Sequence, residues 1–255
     1  MTQLAPDDRG FTLGHGVFET ILWAEGGFAH WDAHLDRLAR ACPVLGLPEP
    51  DPWACRVAAQ GALAEAGDPP RAAVRLNWSA GPGGRGLDLP VTPAPRLTVM
   101  AAPAPAPQGP ASLITSAVRR NDGSPTSRLK TLAYLDNVLA RREARTAGAD
   151  EALMLNTRGE VACAAAANVF WIVDGVVRTP ALACGVLDGT IRAQVLACCA
   201  RLGVPVEEVR AQPETLEGAA MFITNSLIGV RAVERLDGRP LRGSDLVDTL
   251  AEAVA

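Results

Sequence analysis

Of the 24 basic residues in this 255-residue chain, one is a lysine, Lys130, and the others are arginines. A guanidinium keeps its proton near neutral pH and cannot form an imine, whereas a lysine amine can do both chemistries once its surroundings lower its pKa. Lys130 is therefore a candidate nucleophile; the composition alone leaves open a bias toward arginine with one surface lysine left over. A phosphorylated ligand needs backbone N–H groups and a fixed cation to converge, and a helix N-terminus supplies the former. The segment GVLDGTIR, 185–192, places Gly189 where backbone can come close and opens a helix with the amides of Thr190 and Ile191, although a glycine before a helix also serves as ordinary turn chemistry. Thr224, Asn225 and Ser226 end an apolar strand with three small polar residues, suited to phosphate oxygens or simply to capping the strand. Arg37, in HLDRL, is either the bidentate cation of such a site or a solvated helix arginine.

The elements that must carry these residues can be read from periodicity. VFETILWAEGGFAHW, ending at Trp31, reads as a hairpin about a Glu-Gly-Gly turn, and Asp32–Cys42 as a helix behind an Asp N-cap. A second helix is predicted over 51–66, strands over 71–79 and 96–101, and a loop at GPGGRG, 81–86. The proline-rich run 102–110 supports neither a helix nor a central strand. It predicts a smaller N-terminal domain, 1–104, a linker, 105–111, and a larger C-terminal domain, 112–255, carrying Lys130. Within the latter, ASLITSAV reads as a strand, Leu132–Ala147 as an amphipathic helix, and 151–180 as a meander with Thr-Arg-Gly and Asp-Gly turns. A helix over 191–203 and strands at VPVEEVR and MFITNSLIGVRAV complete the mixed α and β pattern.

A net charge of −4 supplies no chain-wide basic field for nucleic acid, so a small-molecule partner is expected. There is no signal-like start and no uninterrupted apolar stretch of membrane length, which predicts a cytoplasmic protein with no membrane partner. Six cysteines at irregular spacing without a CxxC pair predict free thiols, and His15, His30 and His34 lack a metal-ligand spacing, so no metal is assigned.

These motifs occur in an order that resembles the aminotransferase class IV proteins, the group of branched-chain and D-amino-acid aminotransferases and 4-amino-4-deoxychorismate lyase. The likeness covers DRGFTLGHGVFETI (8–21), HLDRL, GPGGRG, RLKTLAYLDNVLA (128–140), DEALMLNTRGEVACAAAANVFW (150–171), GVLDGTIR and ITNSLIGV. It implies the two-domain fold type IV architecture, a small N-terminal α/β domain and a larger one with a barrel-like sheet, and a homodimer. It implies pyridoxal 5'-phosphate held as a Schiff base on Lys130, with Arg37, Gly189, Thr190, Ile191, Asn225 and Ser226 around the phosphate. Tyr134 matches a tyrosine near the cofactor's phenolic oxygen, and Arg85 is either the binder of the substrate carboxylate or part of a flexible loop.

One position departs from the pattern. Family members usually carry a glutamate five residues before the Asn of the NxF motif, where it binds the pyridine nitrogen; counting back from Asn168 gives Cys163. A carboxylate there keeps the nitrogen protonated and the ring a strong electron sink, and a thiol does so poorly. Glu160, three residues earlier, falls in a predicted turn. Transamination is therefore disfavoured more than elimination. Within the family, the short length, GPGGRG and NVFW most resemble 4-amino-4-deoxychorismate lyase, and that resemblance implies a substrate with amino and carboxylate groups. The alternatives are a branched-chain or D-amino-acid aminotransferase and a diverged relative without catalysis.

Overall fold

The computed structural model describes residues 5–84 and 86–254, and the chain divides into two compact units. The first holds residues up to Ala106 together with Leu129–Ala133. Its elements are α1 (Arg9–Leu13), β1 (Gly16–Ala24), β2 (Gly27–Phe28), α2 (Trp31–Ala41), α3 (Pro52–Glu65), β3 (Arg71–Ser79) and β4 (Arg96–Pro103). The four strands form an antiparallel sheet in the order β2-β1-β3-β4. One face of that sheet packs Ile21, Val74 and Leu76 against Trp31 and Leu35 of α2 and Cys55, Ala59 and Leu63 of α3. Each large side chain so buried contributes about 2 kcal/mol.

Local chemistry explains the helix starts. The Asp51 carboxylate accepts from the Trp53 N–H at 3.0 Å and Pro52 occupies the first helical position of α3. α2 begins one residue earlier than expected, on Trp31, so Asp32 lies inside the first turn and favours the helix by its charge instead of capping it.

The second unit comprises Pro107–Arg128 and Tyr134–Ala255. It contains β5 (Ala111–Thr115), α4 (Leu135–Thr146), β6 (Glu151–Leu155), β7 (Val161–Ala164), β8 (Asn168–Val173) and β9 (Val176–Pro180). After these come α5 (Thr190–Leu202), β10 (Val206–Val209), β11 (Ala220–Asn225), β12 (Gly229–Leu236), β13 (Arg239–Pro240) and α6 (Asp245–Val254). Nine strands make a curled half-barrel sheet in the order β10-β9-β8-β11-β12-β5-β6-β7, with β13 beside β12. Alternate residues of β8 and β11 divide its faces. Phe170 and Phe222 stack at 4.8 Å beneath Ile191 and Val195 of α5 and Leu250 of α6, while Trp171, Met221 and Ile223 fill the opposite core. α4 lays Ala140 and Ala144 over Ala152, Met154 and Cys163.

Three further expectations are corrected. The predicted helix over 132–147 opens only at Leu135, because the backbone from Lys130 to Leu132 pairs with β1: Phe18 N–H donates to the Lys130 carbonyl at 2.8 Å and Leu132 N–H to the Gly16 carbonyl at 2.9 Å. Lys130 thus belongs to the first unit, whereas the sequence placed it in the C-terminal domain. MFITNSLIGVRAV is two strands and not one, since the Asn225 carboxamide oxygen accepts from Leu227 and Ile228 N–H at 2.9 and 3.0 Å and turns the chain. Among the described residues no helix is long and apolar enough to cross a membrane, no cluster of three potential metal ligands exists, and all six cysteines are buried free thiols.

Candidate active site

In the first unit, Lys130 is set by backbone pairing with β1, and its Nζ lies 4.4 Å from the centre of the Phe18 ring. The Arg75 guanidinium lies 3.7 Å from the same ring centre. The Phe18 ring therefore packs against both the amine and the guanidinium. Arg75 is further oriented by donating from Nε to Asn77 Oδ1 at 2.9 Å, and Asn77 donates to Thr98 Oγ1 at 3.3 Å. Thr20, opposite Arg75, and Phe18, opposite Asn77, share this face of the sheet. Sequence patterning missed Arg75; the only available signal was the strand alternation that turns it to the polar face.

Glu19, next along β1, points to the other face, where it is fully buried beneath α2. Arg37 donates to it from Nε at 2.8 Å and from Nη2 at 2.5 Å. His34 Nδ1 lies 2.7 Å from Glu19 Oε2, and because an ionised carboxylate only accepts, Nδ1 carries the proton. Burial alone would push the Glu19 carboxyl up; the charge and hydrogen bonds of Arg37, with those of His34, outweigh it and hold the group at about 2. Lys130 and Arg37 thus attach to opposite faces of β1. Arg85 lies outside the described residues.

In the second unit, Gly189 is the N-cap of α5 and offers no side-chain cap to the free N–H groups of the first turn, which begins with Thr190 and Ile191. A Cβ on Gly189 would meet Asn168 Oδ1 at 2.0 Å, so the glycine is required by that close approach. Asn168 in turn donates to the Leu187 carbonyl at 2.9 Å, fastening the loop ahead of the helix. Thr190 Oγ1 and Ser226 Oγ lie 3.3 Å apart. Thr224 Oγ1, on the strand that ends at Asn225, is buried with no hydrogen-bond partner. An orphaned hydroxyl two residues before Ser226, the Thr190–Ser226 hydroxyl pair and an uncapped helix start fit an anion with several acceptor oxygens, such as a phosphate.

Asn225 does not present its side chain to that cluster: its oxygen holds the 225–228 turn and its nitrogen donates to the Ala166 carbonyl at 2.9 Å. Tyr134 forms the N-cap of α4 without a side-chain cap bond.

Cys163 sits on β7 opposite Met154, buried. Burial pushes its thiol up, the nearby Arg120 charge pulls it down and Glu151 adds to the upward push. Arg120 is pinned by donating to Gly185 O at 2.9 Å and Asn137 Oδ1 at 3.3 Å, and also to Ser127 O. Glu160 is engaged elsewhere, accepting from Asn156 Nδ2 at 2.7 Å and pairing with Arg158 and Arg210. The buried carboxylate on the strand beside Cys163 is Glu151, unremarked in the sequence, which pairs with Arg141 and is pushed up by burial.

The chain was compared with known proteins. Residues 16–236 match the model of the amino-transferase class IV family. The aminodeoxychorismate lyase of Bacillus subtilis is 31% identical over 89% of this chain and 79% of its own length. The bifunctional aminodeoxychorismate lyase / D-amino acid transaminase of Mycobacterium tuberculosis is 28% identical over 100% of this chain and 93% of its own. A hypothetical aminotransferase from Mycobacterium tuberculosis, solved in a PLP-bound form, superposes with a TM-score of 0.87 at 27% identity, covering 100% of this chain and 92% of the other. With a lone lysine on β1's flank, an uncapped helix start lined by hydroxyls, and a family match over most of its length, the chain belongs to the amino-transferase class IV family and is a pyridoxal-phosphate-dependent enzyme.

Proposed function

We propose that this protein is a 4-amino-4-deoxychorismate lyase, releasing pyruvate from its substrate to leave 4-aminobenzoate, with Lys130 as anchor and base. The observation that carries the choice within the family is Cys163: a buried thiol, its upward push by burial opposed by Arg120, is a poor partner for a protonated ring nitrogen. When bound, pyridoxal phosphate supplies an electron sink for the substrate's α-carbon. A weakened sink penalises amino transfer, which must carry a carbanion through reprotonation, more than an elimination that forms an aromatic ring.

The chain's own groups have distinct tasks in this reading. Lys130 Nζ would hold the cofactor aldehyde and, as a free amine, would take the substrate's α-proton. Arg75, whose guanidinium packs on the same Phe18 ring as that amine, receives a substrate carboxylate, the task the sequence offered to Arg85. Arg37, Thr190, Ser226 and the first amides of α5 hold the phosphate, with Thr224 Oγ1 as a further donor. Gly189 keeps that approach open, and Tyr134 stands near the phenolic oxygen. The enzyme acts in the cytoplasm as a homodimer, which sedimentation would check.

The deciding assay supplies aminodeoxychorismate and measures pyruvate and 4-aminobenzoate in equal amounts. Amino transfer to 2-oxoglutarate or pyruvate from branched-chain or D-amino acids, without those products, would replace the lyase by the aminotransferase reading. Lys130→Ala should abolish either activity, and borohydride should fix the cofactor to the Lys130 peptide of the wild type. A spectrum without a cofactor band would leave only the non-catalytic alternative.

A further inference from the structure

Glu19 is a carboxylate in the wrong place for a core. It lies on the face of β1 that carries Ile21 and packs beneath α2. Its oxygens are nevertheless matched by Arg37 Nε at 2.8 Å, Arg37 Nη2 at 2.5 Å and His34 Nδ1 at 2.7 Å. Burying a charged pair in this way seldom improves on apolar packing of the same volume, so its value lies in what it positions. The pairing uses the side edge of the guanidinium, Nε with Nη2. That plane directs the end-on edge, Nη1 and the second hydrogen of Nη2, away from Glu19. A planar fork held at two of its three nitrogens cannot swing about its own long side chain.

We propose that Glu19, braced by His34, is a positioning residue: it fixes the guanidinium plane of Arg37 so that the end-on edge meets the cofactor phosphate. Glu19 touches neither cofactor nor substrate. The inference rests on the reading that Arg37 holds the phosphate, and the test separates the two.

The full-length apoprotein is titrated with pyridoxal 5'-phosphate and, in parallel, with pyridoxal, which lacks the phosphate. The readout is the ratio of the two affinities, which a general loss of stability would not move. Arg37→Met comes first: it should weaken pyridoxal 5'-phosphate by about tenfold or more and leave pyridoxal within about twofold, as loss of a charge-assisted bond requires. Glu19→Gln should reproduce that selective loss in smaller measure. Glu19→Asp keeps the charge but withdraws it by about 1.5 Å, one C–C bond. If position is what matters it should also lose selectivity, whereas a role for charge alone would leave it like wild type. If Glu19→Gln fails to fold, Glu19→Asp carries the test. A selective loss in Arg37→Met with an unchanged ratio in Glu19→Asp overturns the positioning role. An unchanged ratio in Arg37→Met removes the phosphate reading itself, and the positioning role with it.

Discussion

Gly189→Ala is the most informative single substitution at the start of α5. The backbone there has φ −75° and ψ 142°, which alanine adopts freely, so no conformational strain is introduced. The whole effect comes from the added carbon, which would sit 2.0 Å from Asn168 Oδ1. The two cannot coexist, and Asn168 must turn away and release its 2.9 Å bond to the Leu187 carbonyl. Losing a buried amide bond costs about 1–3 kcal/mol and overpacking about as much again, so the variant should be destabilised by roughly 2–4 kcal/mol. In a chain of this size that lowers Tm by about 5–15 °C. Thermal unfolding of the apoprotein measures it. The decisive control is the pair Gly189→Ala and Asn168→Ala: with the carboxamide gone the extra methyl has space, so the double variant should be no less stable than Asn168→Ala alone. A Tm for Gly189→Ala within about 2 °C of wild type, or strictly additive losses in the double variant, would show that the close approach of glycine and asparagine is not what shapes this turn.

Other perturbations address the chemistry. Cys163→Glu should raise any amino-transfer activity by about tenfold, equivalent to about 1.4 kcal/mol of barrier, and shift the cofactor absorption; no change in either refutes the assignment of Cys163 to the ring nitrogen. Arg75→Leu should raise KM for a carboxylate substrate by about 10–100-fold with kcat less affected, the value of a charge-assisted hydrogen bond, and an unchanged KM removes Arg75 from substrate binding. Glu19, held at about 2 against an ordinary 4.5, contributes stability that is complete above pH 4.5 and lost as pH falls toward 2. Integrated over that interval the contribution is about 3 kcal/mol, and the unfolding free energies of wild type and Glu19→Gln, from denaturant titrations at neutral and acid pH, should converge by about that amount as pH falls.

Local pattern made several parts of this molecule legible. The hairpin of β1 and β2, helices α2 and α3, the meander from β6 to β9 and helix α5 follow from periodicity and turn residues, all of which act over a few positions. Where distant pairing competes, reading fails. Residues 132–134 have helix-compatible neighbours, yet the backbone from Lys130 to Leu132 is drawn to β1, more than a hundred residues earlier, where Phe18 and Gly16 supply its partners. Arg75 reads like any strand arginine; only the fold brings the ring of Phe18 against both it and Lys130. Arg37 could be named from HLDRL, but its carboxylate partner could not, because a glutamate in a strand is normally assigned to solvent. The orphaned hydroxyl of Thr224 is a statement about missing partners, which no residue pattern records.

The same distance effect explains the first motif of the chain. DRGFTLGHG contains Gly10, Gly14 and Gly16, and nothing in the string itself explains why they are glycines. In the folded unit a Cβ on Gly16 would lie 2.5 Å from the Trp78 carbonyl and 2.7 Å from Leu132 Cδ1, and one on Gly10 would come within 3.0 Å of that same leucine carbon. The glycines are the mould for the segment that carries Lys130. Their absent side chains let Leu132 settle against β1 and β3, and the backbone bonds from Gly16 and Phe18 then set where the amine begins. Two motifs far apart in the chain are therefore one device: the first supplies the space and the hydrogen-bonding edge, the second the amine. Neither has a reason for its composition without the other.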